Sequence, residues 1–467
     1  MRKTRFKKTA YIFLSLVFLC LFLTGCEGYV AKDIMEGNFK KAMIEMMEGH
    51  PWESAAERRA KDKTIIRESN DGNTEIVLED ESSNIENPPK EEKSKKKKKE
   101  AAQKEESASK EKLVKEDLIG KSSFTRTDLD EQKSAIESED NYNFYYHQLN
   151  DKEKDIYAQL MMIVKKHMDN DVLITTDIDA VDKIFLCVVN DHPEIFYVNG
   201  YSMSEYMIGN VTDSLDFRPS YTKTAHEVDS LMNRVYDYES ECLAMAPDGD
   251  DYTKIKYVYD YIIKNTEYNL NAEENQNILS VFLNGSSVCQ GYAKSAQYLL
   301  QRMHIPCILV SGTVNSGESH AWNLVKSNGK WYYLDTTWGD ASYKGNASNE
   351  APEVNYDYLC TNSRWMRKTH RLKSKYNIPE CDSLDDYYYV KEGTYFTWFD
   401  EDKLKNLIVD YTNRGESRIN IKCEGAAVYH EMISTLFEHG KIADYIYGAG
   451  SVNYIRMDDS FNLIIYL

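Results

Sequence analysis

The sequence lacks the cysteine and histidine patterns that commonly hold metals in proteins. It contains nine cysteines and ten histidines in 467 residues, but no two cysteines are separated by two residues. It also has no HExxH motif, and its histidines do not cluster. These absences exclude zinc fingers and zincin-type metalloproteases. The sequence therefore predicts no metal site.

A compact disulfide framework is also missing. Small exported domains that depend on disulfides are rich in closely spaced cysteines. Here most of the cysteines are far apart in the chain. We expect the following to be mostly buried free thiols: Cys187, Cys242, Cys307, Cys360, Cys381 and Cys423.

The chain has no excess of positive charge. It carries 57 Lys and Arg against 76 Asp and Glu, which gives a formal net charge of −19. The lysine run at residues 95–99 is diluted by acidic neighbours. Nucleic-acid binders usually present a basic surface, so this balance argues against a nucleic-acid partner.

A hydrophobic run long enough to span a membrane is absent as well. The apolar run at residues 11–23 is shorter than the ~20 residues that a spanning helix needs. Basic residues precede it, and residues 23–26, Leu-Thr-Gly-Cys, resemble the bacterial lipobox. We therefore predict a lipoprotein signal peptide over 1–25, a lipid on Cys26 and a location on the extracytoplasmic face of the cell membrane. An uncleaved membrane anchor is the alternative.

Charged residues dominate the chain after this signal. Residues 26–140 contain many Glu, Lys and Ser but few aromatics, so they bury too little apolar surface to offset ordering entropy. We predict a disordered charged tether there, with order beginning near Tyr142. Helical periodicity then predicts a helical N-terminal lobe over 141–250, with a short strand at 195–198.

Three short motifs carry the groups that acyl-transfer chemistry needs. They are VCQGYA at residues 288–293, SHAWN at 319–323 and WYYLDTTW at 331–338. A thiolate attacks a carbonyl, an imidazole moves protons and a carboxylate orients the imidazole. Each residue alone is more often structural. Together they predict that Cys289 is a nucleophile, His320 an acid/base and Asp335 the orienting group.

Cys289 lies where a helix is predicted to begin. Apolar residues at helical spacing indicate a helix from about Ser287 to Met303, with Ser287 as its N-cap. Free backbone N–H groups and the helix dipole favour an anion in the first turn. They favour both a thiolate at Cys289 and a developing oxyanion.

The Asn-Gly dipeptide at 328–329 predicts a hairpin between strand-like runs at 321–326 and 330–336. A two-residue turn sets the register of the two strands. In that register His320 and Asp335 are diagonal neighbours on one face, roughly 7–8 Å apart by pairing distance. Their side chains are therefore expected to reach each other.

Residues from about 252 to 370 resemble the transglutaminase-like superfamily, in its bacterial extracytoplasmic branch. The resemblance rests on the three motifs and on the strand-like run at 307–314. It implies a papain-like cysteine-enzyme core at 251–375 with Cys289, His320 and Asp335 as catalytic residues. In such enzymes an upstream Gln or aromatic often completes the oxyanion hole, and Gln276 and Tyr268 are candidates. No cofactor is implied, and no acidic calcium loop is visible.

The resemblance leaves the reaction open. One possibility is a Cys289 thioester with a glutamine-type or peptide carbonyl, released to an amine or to water. Another is a papain-like peptidase or amidase acting on cell-wall peptides, and a third is a non-catalytic binding module that keeps the fold. The expected partners are a protein or cell-wall peptide and, through the lipid on Cys26, the membrane.

The pattern changes again near Asp385. Short strands and helices alternate, including predicted strands at 387–390 and 444–447, which indicates a small α+β domain over 385–467. The whole chain is thus predicted to be α+β, with a helical N-terminal lobe, a transglutaminase-like core and this C-terminal domain. Oligomeric state is not predicted.

Overall fold

The structure is a computed structural model. It describes residues 118–139, 142–209, 211–340, 354–446 and 452–467, together with the backbone of three short strands nearer the N-terminus. The chain separates into two units, Cys26–Lys112 and the remainder. Cys26 and the lipobox lie outside the described residues, as does most of the predicted tether.

The helices and strands are numbered in chain order. The α-helices are α1 (Arg126–Ser138), α2 (Asp151–Lys165), α3 (Ile178–Asp191), α4 (Ala225–Ala244), α5 (Asp251–Asn265), α6 (Ile278–Phe282), α7 (Cys289–Arg302), α8 (Thr336–Gly339), α9 (Ser363–Met366), α10 (Tyr388–Lys391), α11 (Glu401–Asn413), α12 (Ala426–Ile433) and α13 (Ile442–Tyr445). The strands are β1 (Phe6–Lys8), β2 (Ile65–Glu68), β3 (Thr74–Val77), β4 (Asp171–Val172), β5 (Val198–Ile208), β6 (Val211–Tyr221), β7 (Glu267–Tyr268), β8 (Ser286–Ser287), β9 (Cys307–Val314), β10 (Ser319–Ser327), β11 (Lys330–Leu334), β12 (His370–Leu372), β13 (Tyr395–Phe396), β14 (Arg418–Cys423), β15 (Tyr454–Met457) and β16 (Asn462–Tyr466).

Order begins earlier than predicted. Helix α1 lies within the stretch expected to be a disordered tether, so that expectation is wrong from residue 118 onward. A capping box between Thr125 and Asp128 starts the helix. Leu129 and Ile136 then bury completely or nearly so against the lobe. Leu118 and Phe124 are buried too, so a few apolar side chains anchor a segment whose average composition is highly charged.

The N-terminal lobe contains a long hairpin that the sequence did not predict. Strands β5 and β6 pair antiparallel, with β4 beyond β6 and β1 beyond β5. The predicted strand at 195–198 overlaps only the start of β5. Ser, Met and Glu dilute the β-branched pattern along β5, so pairing with β6 rather than local propensity makes it a strand. Helices α2 and α3 account for part of the helical periodicity from which a helical lobe was predicted.

The core is built on a four-stranded antiparallel sheet in the order β11-β10-β9-β12. Helix α7 packs against β9 and β10, and α5 packs against α7. At the free side of β11, Thr361 bridges to Tyr333, and the Asp335 N–H donates to the Tyr358 carbonyl at 3.1 Å. The segment that leads to β12 therefore touches the opposite edge of the same sheet before it pairs with β9.

The hairpin between β10 and β11 has the register that a two-residue turn requires. Ser327 pairs with Lys330, and Asn323 pairs with Leu334. Asn328 and Gly329 both have positive φ angles, 49° and 84°. Such angles belong to the type I′ turn, which Asn-Gly favours because its twist matches that of the strands.

The C-terminal region forms a second sheet in the order β13-β14-β16-β15 around its own apolar cluster. The strands predicted at 387–390 and 444–447 are wrong, because α10 and α13 occupy these places. Tyrosine favours strands. Here a single helical turn instead brings Tyr389 against Tyr387 and Trp365 in a buried aromatic cluster.

A buried ion pair joins this region to the core. The Lys422 ammonium is 2.9 Å from Asp357, and its side chain is 2% exposed. Asn462 donates to the same carboxylate at 2.6 Å. The ammonium groups of Lys422 and Lys368 lie 4.4 and 3.8 Å from the ring centre of Trp365. These contacts hold the C-terminal sheet against the segment that precedes β12.

Among the described residues, no helix combines the length and the apolar character needed to cross a bilayer. The seven cysteines in this part of the chain are buried, and none is bonded to another.

Candidate active site

Cys289 is the first residue of α7, two residues after the position where the helix was predicted to begin. The N-cap is Val288, so the expectation that Ser287 caps the helix is wrong. Ser287 instead belongs to β8, where it pairs with Tyr268, and its hydroxyl lies 2.7 Å from that of Ser280. Its oxygen is therefore engaged away from the helix. The first-turn N–H groups near Cys289 have no side-chain cap.

Gly291 has a clear steric reason to be glycine. A Cβ atom at this position would lie 2.0 Å from the Ser287 hydroxyl oxygen and 2.6 Å from that of Ser280. Such distances are far inside van der Waals contact. The second residue after Cys289 must therefore be small if the strand before the helix is to approach this closely.

His320 and Asp335 meet as the hairpin register predicted. The Nε2 atom of His320 lies 2.7 Å from Oδ2 of Asp335. The Cys289 side chain also lies close enough to the imidazole to contribute to the rise in the pKa of His320. Because Asp335 occupies Nε2, Nδ1 is the ring nitrogen available to the thiol. The structure thus links the three predicted residues in the order Cys289, His320, Asp335, and each is 3% exposed or less.

The second oxygen of Asp335 is fixed by the backbone. Asp335 is the N-cap of the short helix α8, and its Oδ1 accepts the N–H groups of Thr337 and Trp338, both at 3.0 Å. This explains why the motif continues as Asp-Thr-Thr-Trp. The capping bonds set the plane of the carboxylate, and Oδ2 is left to face the imidazole.

The sequence analysis missed a fourth polar residue of the site. His370 begins β12 and places its Nε2 atom 3.0 Å from the same Oδ2 of Asp335. Its Nδ1 atom is 2.7 Å from the Thr369 hydroxyl oxygen. The only available sequence signal was Gly312 within a strand pattern, since a strand glycine often marks close backbone approach. A Cβ there would lie 2.0 Å from the Arg371 carbonyl oxygen.

Aromatic rings enclose the two imidazoles. Trp322 stacks on His320, with ring centres 5.8 Å apart. Trp338 and Tyr358 contact His370 edge to face, with ring centres 4.7 and 5.6 Å away. In such surroundings water is largely excluded, so electrostatic interactions within the site are stronger than at a solvated surface.

The pKa values of the two imidazoles shift in opposite directions, although Asp335 acts to raise both. Burial acts to lower the pKa of His320, but Asp335 and Cys289 outweigh it and raise that pKa to about 10. Burial lowers the pKa of His370, and the attraction of Asp335 does not compensate because His320 and Arg371 repel a second charge. Burial acts to raise the pKa of Asp335, yet the two histidines hold that pKa well below its ordinary value.

The two candidate oxyanion-hole side chains lie on the segment that precedes Cys289. Tyr268 pairs with Ser287 in the parallel β7–β8 ladder. Gln276 donates to Asn275 at 3.1 Å, and its buried Oε1 has no hydrogen-bond partner. Since the Asn275 carbonyl accepts from Ser287 at 3.3 Å, both candidates lie beside the approach to the nucleophile. Their role in an oxyanion hole stays a prediction.

One group of side chains in the described part of the chain has the composition of a metal site. The ligand atoms of His320, Asp335 and His370 lie within 4.8 Å of one another. However, both Nε2 atoms are at hydrogen-bond distance from one oxygen, and the other oxygen already accepts two N–H groups. A carboxylate offers about four acceptor positions. Hydrogen bonding therefore accounts for the whole arrangement.

Residues 243–336 match the family model described as the Transglutaminase-like superfamily. This core is transglutaminase-like. The matched stretch contains Cys289, His320 and Asp335 and ends before His370. The match covers 94 of the 467 residues and shows that this stretch is similar to the transglutaminase-like superfamily.

Three solved structures are similar to parts of the chain. One is described as a TGase, with 14% identity, a TM-score of 0.23, and coverage of 34% of this chain and 48% of its own. A candidate cysteine protease from Cytophaga hutchinsonii has 15% identity, a TM-score of 0.20, and coverage of 28% and 56%. A candidate protease from Parabacteroides distasonis has 12% identity, a TM-score of 0.19, and coverage of 30% and 36%.

The chain thus spans between about a third and little more than half of the length of these structures. No curated protein matches the chain.

Proposed function

We propose that this protein is a transglutaminase-like cysteine acyltransferase, lipid-anchored on the extracytoplasmic face of the membrane. The observation that carries the proposal is the convergence of three buried groups: Nε2 of His320 lies 2.7 Å from Oδ2 of Asp335, and Cys289 is close enough to the imidazole to raise its pKa. Such an arrangement couples a nucleophile to a proton carrier and the proton carrier to an orienting carboxylate.

The proposed reaction has two halves. In the first, the Cys289 thiolate attacks a glutamine-type carboxamide or a peptide carbonyl. His320 gives its proton to the departing nitrogen, so that ammonia or an amine leaves and a thioester remains. In the second half, an acceptor amine or water attacks the thioester carbonyl and His320 takes its proton. The thiolate then departs, which restores the thiolate–imidazolium pair.

Burial of the site favours an amine over water as the acceptor. Cys289 packs with Ala293, Leu309 and Ala321, and rings cover the imidazoles. Exclusion of water protects a reactive intermediate from hydrolysis. An amine carried by a protein or by a wall peptide then competes for the thioester more effectively than it does in an open cleft.

Incubation of the purified ectodomain with a glutamine-containing peptide, with and without a primary amine, tests the reaction. We expect amine incorporation and ammonia release by wild type and neither by Cys289→Ala. Release of ammonia or of a cleaved peptide without amine incorporation would favour a peptidase or amidase. If neither variant reacts while both bind the same wall fragment equally, a non-catalytic binding module is the better explanation.

The lipid anchor needs a separate test, because it rests on the lipobox at residues 23–26 alone. Radiolabelled fatty acid should enter the wild-type protein and not Cys26→Ala. That variant should also accumulate as the precursor or be shed from the membrane. Unchanged acylation and unchanged membrane fractionation in Cys26→Ala would exclude lipidation at this residue.

A further inference from the structure

His370 lies outside the three motifs, yet it shares the carboxylate oxygen on which His320 depends. Its Nε2 atom is 3.0 Å from Oδ2 of Asp335. An ionised carboxylate only accepts hydrogen bonds, so this Nε2 must carry a proton. In the neutral ring Nδ1 is then an acceptor. The Thr369 hydroxyl has one proton, which it can give to this nitrogen at 2.7 Å or to the Met366 carbonyl at 3.4 Å. The shorter contact favours donation to Nδ1, which selects the tautomer that donates to Asp335.

The fold also fixes the position of this ring. His370 pairs with Val314 and Leu372 with Gly312, so the short strand β12 is held along β9. Gly312 leaves the space that the Arg371 carbonyl occupies. Trp338 and Tyr358 contact the imidazole edge to face. A ring that is held on its edges and hydrogen-bonded at both nitrogens is rigid, as an orienting group needs to be.

We propose that His370 is a positioning residue that keeps Oδ2 of Asp335 directed at His320 and keeps the shared proton on the His320 ring. This proposal deepens the proposed function and rests on it. A neutral donor stabilises the ionised carboxylate and so opposes transfer of the proton from imidazolium to Asp335. Without that donor, one acceptor position of a buried carboxylate is empty, which favours rotation or protonation of Asp335.

The charges around His370 support this role. The titratable groups facing it are Asp335, His320, Arg371 and the hydroxyl of Tyr358. Only Asp335 attracts a second proton to the ring, whereas burial, His320 and Arg371 oppose it. The ring therefore stays neutral while His320 is charged. His370 therefore donates a hydrogen bond to Asp335 without adding a second positive charge that would compete with the charge on His320.

The test compares two substitutions of His370 and two of Thr369 in the full ectodomain. His370→Phe keeps an aromatic ring for Trp338 and Tyr358 but removes the donor. His370→Gln keeps an N–H near the position of Nε2. Thr369→Val removes the hydroxyl that selects the tautomer, and Thr369→Ser retains it. The readouts are the rate of Cys289 alkylation by iodoacetamide across pH, the kcat and KM for the peptide substrate, and Tm.

In wild type, iodoacetamide should alkylate Cys289 readily near pH 6, because His320 lies beside the thiol and can take its proton. His370→Phe should lower this alkylation rate by about tenfold, because Asp335 then orients His320 less firmly. It should lower kcat with little change in KM. His370→Gln should restore most of the alkylation rate. Thr369→Val should lower the rate as His370→Phe does, and Thr369→Ser should react at the wild-type rate.

Alkylation profiles of His370→Phe and Thr369→Val that superimpose on the wild-type profile would overturn the proposal while leaving the proposed function intact. A wild-type profile that rises only near pH 8.5, as for an ordinary thiol, would overturn both. If His370→Phe does not fold, the two Thr369 variants test the proposal instead, because Thr369→Val hardly changes the volume of the side chain. A uniform fall in both kcat and stability for Thr369→Val and Thr369→Ser alike would mean that the site serves folding only.

Discussion

His320 and His370 share one hydrogen-bond acceptor, Oδ2 of Asp335, and their ring centres lie 5.3 Å apart. Asp335 raises the pKa of His320, whereas the pKa of His370 is lowered despite the attraction of Asp335. Two chemically identical side chains thus differ in charge. The difference arises because the site accommodates only one positive charge beside one negative charge.

Cys289 should be the most reactive thiol among the residues that the structure describes. Burial raises the pKa of Cys187 and that of Cys423 to about 12, and the pKa of Cys307 well above its ordinary value. Among these four thiols, Cys289 is the one that interacts with the His320 imidazole. At about pH 6.5, well below the reference thiol pKa, iodoacetamide should modify it before the others. Peptide mapping by mass spectrometry checks the order, and equal labelling would contradict the nucleophile assignment.

Substitution of Asp335 should remove activity without removing the fold. Asp335→Asn keeps a cap for α8 but no longer stabilises imidazolium, so kcat should fall on the order of a thousandfold. His320→Ala should be at least as severe. Because the two residues act as a unit, the double variant should be no worse than His320→Ala alone. Multiplicative losses in the double variant would show that the residues act independently.

Stability should fall as the pH is raised. The pKa of His320 increases from 6.5 to about 10 in the folded protein, so between these values the folded state holds a proton that the unfolded chain releases. The stabilisation is fully present below pH 6.5 and is lost as the pH rises through 10. Urea unfolding at several pH values should show this slope in wild type and a shallower one in Asp335→Asn. Equal slopes would argue against the ion pair.

The lowered pKa of His370 acts in the opposite sense. Its neutral form is favoured by folding, so this contribution is present above the unfolded value of 6.5 and is lost as the pH falls. A comparison of the free energies of unfolding of wild type and His370→Gln below pH 6.5 isolates this pH-dependent contribution, because Gln does not titrate.

Gly312→Ala should damage the site from a distance. The added methyl group would lie 2.0 Å from the Arg371 carbonyl oxygen, so β12 must move away from β9 and carry His370 with it. We expect a destabilisation of about 1–3 kcal/mol, typical of overpacking, and a lower kcat. Gly425→Ala is the control, because a Cβ there meets nothing within 4 Å. Differential scanning calorimetry measures both, and equal Tm values would disprove the steric argument.

Removal of the buried Lys422 charge should loosen the C-terminal sheet from the core. Lys422→Met leaves Asp357 buried without its cation, which typically costs about 3–5 kcal/mol. The control is Lys441→Met, which removes a half-exposed ion pair with Glu401 and should cost less than about 1 kcal/mol. Chemical denaturation gives both free energies. Adding Asp357→Asn to Lys422→Met should recover part of the loss, and no recovery would mean that the charge is not the cause.

The sequence predicted the catalytic hairpin well because the interactions that fix it are local. An Asn-Gly turn sets the register, and the register brings His320 to Asp335. The start of α7 was predicted to within two residues, but its N-cap was wrong because Ser287 is used by a neighbouring strand and by Ser280. The conformational preference of a residue does not show whether its side chain will cap a helix or bind another partner.

His370 was not predictable by the same means. It reaches Asp335 from a strand of three residues whose partner lies far away in sequence, and no periodicity marks so short an element. The long hairpin β5–β6 and the early helix α1 were missed for a related reason. In each case strand pairing or burial against the rest of the fold stabilises an element that the composition of its own segment does not favour.

The segment between Thr361 and His370 bonds to β11 at one end and to β9 at the other. Its chain length therefore contributes to how far the second imidazole reaches. Trp365 and Met366 are buried in the middle of the segment and Thr369 contacts the ring, so these side chains are constrained as well. In evolutionary terms, substitutions should accumulate at exposed positions such as Arg367, whereas a single inserted or deleted residue would change the reach of the ring and with it the orientation of Asp335.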